Sequence, residues 1–75
     1  MPTLLIHEGF KFFFYANEHL PVHVHVVKGS NYAKINLSSM RVVENCMKSA
    51  ELKRALELTI EHQAAFMRRW YEFFN

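Results

Sequence analysis

The sequence predicts an α+β fold: an antiparallel meander of four to five strands, one face of it packed on one long C-terminal helix. Three observations carry this. Apolar and polar residues alternate in short runs through the first half of the chain, the signature of half-buried strands. Turn-forming residues separate those runs at short intervals. From Ala50 to Phe74 there is no Gly and no Pro, and the apolar period changes to three and four.

The first strand is Thr3 to Ile6, and His7-Glu8-Gly9 ends it. Gly9 supplies the positive φ that a tight three-residue hairpin turn wants. The second strand begins at Phe10 and runs through Phe12, Phe13, Phe14 and Tyr15. Asn17 to Pro21 is a connection, and Val22 to Val27 is the third strand. Gly29-Ser30-Asn31 turns the chain into a fourth strand, Tyr32 to Leu37. Met40 to Val43 makes a short edge strand after Ser38-Ser39, and Cys46 falls in the loop that follows. Ser49 is the expected helix N-cap, with Glu51 in the first turn. Leu52, Leu56, Ile60 with Thr59, Gln63, Met67, Trp70 and Phe74 form the expected buried stripe. Twenty-five helical residues span about 37 Å, against about 20 Å for a six-residue strand. Two outcomes follow for the aromatic helix end. Either it overhangs the sheet and packs on a second copy or a partner through Trp70, Tyr71 and Phe74, or a kink in the helix or twist in the sheet covers it.

The 75 residues make one domain, 1–75, with 51% hydrophobic residues and only two Gly, a globular composition. A formal charge of +2 is compatible with nucleic-acid binding without requiring it. All seven acidic residues are Glu, which excludes an aspartate-rich calcium or magnesium loop. A single cysteine, Cys46, excludes an internal disulfide and points to a reducing cytoplasm. Neither a signal peptide nor a membrane span is expected.

Candidate chemistry concentrates in Phe10 to Val27. Side chains two apart on a strand share a face. Val22, Val24 and Val26 therefore oppose His23 and His25, and Phe10, Phe12 and Phe14 oppose Lys11, Phe13 and Tyr15. With the valines and one Phe set buried, the other face carries two imidazoles, a phenol and an ammonium. Three readings stay open. His23 and His25 can act as acid and base in phosphodiester cleavage, with Tyr15 and His19 assisting and Lys11, Asn17 or Lys28 binding the substrate. The H-x-H pair can hold a metal with His19 or Glu18 as third ligand. Or the histidines only bond a turn and pack on rings. Histidine-triad hydrolases and cupins share the H-x-H spacing, but both need longer chains, and Val27 stands where the triad's third His belongs. No cofactor or metal is assigned.

The run from Phe12 to Val26, F-F-F-Y-x-N-E-H-x-P-x-H-V-H-V, the Lys28-Gly29 turn, Ala33-Lys34 and Trp70-x-x-Phe73 resemble the small bacterial family catalogued as domain of unknown function 4160. The motif positions are Phe14, Tyr15, Asn17, His19, Pro21, His23 and His25. The family often has Gly where this chain has Cys46. The resemblance implies a gene arrangement like a type II toxin–antitoxin pair, with this chain as the toxin-like member beside a small antitoxin-like partner. The leading expectation is thus a toxin-like protein acting on RNA or translation through the His23/His25 face. A non-catalytic interaction module and a His-based metal-binding domain are the alternatives.

Overall fold

A computed structural model describes residues 3–74. Five strands come first: β1 (Thr3–His7), β2 (Phe10–Phe13), β3 (His23–Lys28), β4 (Asn31–Asn36) and β5 (Val42–Cys46). Two helices follow, α1 (Ser49–Glu61) and α2 (Gln63–Phe74). The strands form one sheet in chain order, every neighbouring pair antiparallel, so the expected meander is present with five strands.

The turns set the register. His7 pairs with Phe10, so the first hairpin loop is Glu8-Gly9, two residues rather than the expected three. Both have positive φ, 55° and 83°, the type I′ pattern whose twist matches that of the strands. Glu8 is an uncommon residue there, and Arg54 of α1 clamps its carboxylate with two bonds of 2.8 and 2.6 Å. Gly29, at φ 60°, opens the two-residue loop between Lys28 and Asn31. Met40 also has positive φ, 62°, which no strand accommodates. The edge strand therefore begins at Val42, not Met40, and it runs on to include Cys46, which lies in the strand rather than in the loop after it.

The helical half departs from expectation in three ways. Lys48, with extended φ and ψ, is the N-cap, and Ser49 is the first helical residue. The Glu51 carboxylate reaches back to accept from the Lys48 backbone N–H at 3.2 Å, so a capping residue with no acceptor suffices. The single long helix is two, separated at His62, whose φ and ψ are −107° and 13°. The His62 ring Nδ1 lies 3.0 Å from the Leu58 carbonyl, which also accepts the His62 backbone N–H, and the His62 carbonyl accepts the Phe66 N–H at 2.9 Å, so the backbone turns at His62 while the bonds across the turn persist. Third, the buried stripe is Ala55, Leu58, Thr59, Phe66 and Trp70; of the expected stripe Thr59 and Trp70 are buried, Leu52, Leu56, Met67 and Phe74 pack partly buried against the core, and Ile60 is 59% exposed. Ala55 and Thr59 are small enough to face the sheet closely, and the buried Thr59 hydroxyl is satisfied by donating to the Ala55 carbonyl at 2.7 Å.

The core is built as the alternation requires. Phe10, Phe12, Phe14, Val22, Val24, Val26, Ala33, Ile35 and Leu37 are buried together with the helical stripe. Phe66 packs on Phe12 with ring centroids 5.4 Å apart, and Trp70 meets Phe14 edge-on at 5.2 Å. Gln63 Nε2 donates to the Leu37 carbonyl at 2.5 Å, fixing the start of α2 to the end of β4. The aromatic helix end is covered in part within the chain: Trp70 is 3% exposed and Phe74 is partly buried, whereas Tyr71 and Phe73 remain about half-exposed. Among the described residues no helix is long and apolar enough to cross a membrane.

Candidate functional site

The sheet face away from the core carries the side chains of opposite parity. Register aligns Phe13, His25, Lys34 and Glu44 in one row across β2 to β5. Lys11, Val27, Tyr32 and Cys46 form the next row, and His23 pairs with Asn36. His25 stacks on Phe13 at 5.4 Å and meets Tyr15 edge-on at 4.8 Å. Tyr15 and Tyr32 are 47% and 46% exposed. They flank a groove of about 330 Å³ lined also by Phe13, His25 and Val27. Lys11 is on this face, its ammonium 5.7 Å from the Phe13 ring.

The connection over residues 14–22 closes one end of the face. Phe14 points into the core and Tyr15 out of it, so alternation persists past the end of β2. Glu18 then folds back onto the histidines. Its Oε2 lies 2.5 Å from His25 Nε2 and 3.1 Å from His23 Nε2, and accepts the Tyr15 backbone N–H at 3.3 Å. One ligand-type atom from each of Glu18, His23 and His25 falls within 4.8 Å of the others.

The two imidazoles differ. His23 is 3% exposed, packed against Trp70 at 5.1 Å and against His25. Its Nδ1 is 2.8 Å from the Pro21 carbonyl. A carbonyl only accepts, so Nδ1 carries a proton and donates it to Pro21. His23 Nε2 is buried and has no aligned hydrogen-bond partner among the described residues, although the carboxylate is near. The 3.1 Å separation is therefore a proximity of charge-bearing atoms and not a formed hydrogen bond. His25 is half-buried. Burial pulls its pKa below the ordinary histidine value, outweighing the upward pull of Glu18. Burial pushes Glu18 up, but the Tyr15 N–H, His23 and His25 outweigh it and hold the carboxyl below its ordinary value. Both partners thus shift down, and a neutral His25 donating Nε2–H to an ionised Glu18 is consistent with both.

The remaining expected site residues are placed as follows. His19 is exposed and lines a cavity of about 250 Å³ beside Glu18 and His23, but stands outside the three-residue cluster. Asn17 is exposed in the turn. Lys28 is not on the imidazole face: its ammonium lies 4.5 Å from the Phe10 ring and donates to the Glu8 carbonyl at 3.1 Å. Its even number puts it with Val24 and Val26, which strand parity alone requires. Two residues of the face, Tyr32 and Lys34, are absent from the expected site, although the same alternation in β4 marks them. The contact of Trp70 with His23 has no local sequence signal.

No curated protein and no solved structure matches the chain. The family model described as Domain of unknown function (DUF4160) matches residues 9–71, a span that takes in the groove, the residue 14–22 connection and nearly all of both helices, and the chain belongs to that family.

Proposed function

We propose that this protein binds single-stranded RNA across the open sheet face, as the toxin-like member of a two-gene bacterial toxin–antitoxin module. The observation that carries the RNA reading is the groove between the two half-exposed tyrosines, Tyr15 and Tyr32, with Lys11 and Lys34 on the same face. Aromatic side chains on an exposed surface offer stacking platforms to unpaired bases, worth about 1–3 kcal/mol per base. Two lysines neutralise phosphates at a spacing set by the sheet. The half-buried, neutral His25 at the floor of the groove offers ring atoms to a base or a 2′-hydroxyl. His23, by contrast, is closed off by Trp70 and the Pro21 carbonyl, so direct contact with RNA falls to His25, Tyr15 and Tyr32. The toxin-like role rests on the family's gene arrangement, with the antitoxin-like partner as its inhibitor.

The test is fluorescence anisotropy of a labelled single-stranded RNA 12-mer, with duplex RNA of the same sequence as comparison. Tyr15→Ala and Tyr32→Ala should each weaken single-strand binding by roughly 5- to 150-fold. Both side chains are exposed, so both variants should keep the wild-type circular dichroism spectrum. Induced expression should arrest bacterial growth for the wild type and not for the double variant. Equal affinity for wild type and double variant would remove the face from the function.

A further inference from the structure

The Glu18–His23–His25 cluster brings three donor-type atoms together at one end of the sheet face. His23 Nδ1 lies 2.8 Å from the Pro21 carbonyl, which holds the ring. Its buried Nε2 has no aligned hydrogen-bond partner among the described residues, although a Glu18 carboxylate oxygen is 3.1 Å away. A buried polar atom without a partner is costly. A cation held between the three groups supplies one.

We propose that Glu18 Oε2, His23 Nε2 and His25 Nε2 bind one divalent transition-metal ion of the zinc class. The spacing suits it. With bonds of about 2.1 Å, two ligands of a tetrahedral ion stand about 3.4 Å apart. The observed separations are 2.5 and 3.1 Å from Glu18 to the two imidazoles, with all three atoms within 4.8 Å. Reaching that geometry takes an opening of the Glu18 side chain, which is carried on a loop, and an approach of the donor atoms that stand furthest apart, within 4.8 Å, to about 3.4 Å. The shell behind the ligands is also in place. The Nδ1–H of His23 bonded to a backbone carbonyl fixes the ring so that Nε2 is the donor, the arrangement that metal-bound histidines ordinarily show. Two imidazoles and one carboxylate select zinc, iron(II), cobalt or nickel over magnesium and calcium, which prefer all-oxygen sites. On binding, the neutral His25 ring moves its proton from Nε2, where it now bonds Glu18, to Nδ1 and offers the Nε2 lone pair, with no net release of a proton. Three protein ligands leave a fourth position for water or a ligand atom. The cavity lined by Glu18, His19, His23 and Lys34 adjoins the cluster.

The test uses the full chain, purified without a polyhistidine tag and treated with a chelator. Titration with Zn²⁺ in a calorimeter should give about one ion per chain. Zn²⁺ at a hundredfold excess over Kd should raise Tm by roughly 10 °C or more. Co²⁺ in place of Zn²⁺ should give the visible absorption of a four-coordinate ion. Glu18→Gln and His25→Gln, which leave the buried His23 packing in place, should each weaken binding by about a hundredfold or more and abolish the Co²⁺ band. A His7→Gln/His62→Gln control should leave both unchanged. No binding by the wild type at micromolar metal, or equal binding by the Glu18→Gln/His25→Gln double variant, would overturn the proposal. Neither readout involves RNA, so the site and the RNA-binding face stand or fall separately.

Discussion

The helical periodicity offers two overlapping stripes, and a pair of alanine substitutions tests where they differ. One stripe puts Ile60 in the core; the other puts Phe66 there. In the structure Phe66 is 2% exposed, packed on Phe12 at 5.4 Å and on His62 at 5.6 Å, whereas Ile60 is 59% exposed. Truncating a buried Phe costs about 3–5 kcal/mol, the lost transfer energy plus the cavity left behind. At about 0.05–0.15 kcal/mol per residue, a chain of 75 residues has roughly 4–11 kcal/mol of stability in all. Phe66→Ala therefore removes about a quarter of the total or more. With a urea slope near 1 kcal/mol per molar, the unfolding midpoint should fall by about 3 M. Ile60→Ala should move it by less than about 0.5 M, because an exposed helical Ile gives up little packing and Ala is the better helix former. Trp70 is the single tryptophan and lies buried, so its fluorescence reports the transition, with far-ultraviolet circular dichroism as a second probe. A larger loss in Ile60→Ala than in Phe66→Ala would refute the helix orientation and, with it, the burial of Trp70 against His23.

Two further outcomes test the turns. Gly29→Ala should cost about 1–2 kcal/mol from backbone strain alone, since φ is 60° and a Cβ there meets nothing within 4 Å; Gly29→Asn should cost less, measured by urea unfolding. The Arg54 guanidinium holds the Glu8 carboxyl down at about 2, from an ordinary 4.5. A depressed carboxylate contributes fully above its unfolded pKa, so the Glu8–Arg54 clamp should be intact above pH 4.5 and fade as pH falls toward 2. The Tm difference between wild type and Glu8→Gln should shrink across that window; a difference that stays constant from about pH 5 to about pH 2 would show that the clamp does not act through the charge of Glu8. Because both groups are surface-exposed, the difference should also narrow at high salt.

How far the sequence discloses this molecule depends on the range of the interaction that sets each feature. Strand parity is fixed by one residue's neighbours. The segregation of Phe10, Phe12, Phe14, Val22, Val24 and Val26 from Phe13, Tyr15, His23 and His25 is therefore legible in the order of the residues alone. The same rule, applied one residue further, excludes Lys28 from the imidazole face. The helix stripe is less legible because Leu52, Leu56 and Ile60 satisfy the period as well as Ala55, Leu58 and Thr59 do. What separates them is how closely small side chains let the helix approach the sheet, a tertiary quantity. Met40 shows a turn overriding a strand, for Asn36 Oδ1 accepts the N–H groups of Ser38 and Ser39 and carries the chain past Met40 before pairing resumes.

Alternation gives the direction of a side chain and says nothing of its depth, and His23 shows the difference. Its parity matches His25, yet Trp70 from a helix more than forty residues away covers it, while His25 keeps a path to the groove. The role of Glu18 is set in a third way. A glutamate seven residues from His25 and five from His23 reaches both only because the intervening loop is anchored at each end. Phe14 is sunk in the core against Trp70 before the loop, and Val22 is buried after it. Within the loop the Tyr15 N–H holds the Glu18 carboxylate, and the Pro21 carbonyl holds the His23 ring. Each contact that shapes this loop also orients a member of the cluster. Residues 14–25 thus act as one device in which the fold of the backbone and the convergence of the three donor atoms have the same cause. Loosening Phe14 should therefore disturb the cluster as surely as replacing Glu18, a coupling that the Zn²⁺ titration would register in a Phe14→Leu variant as weaker binding with all three donor residues present.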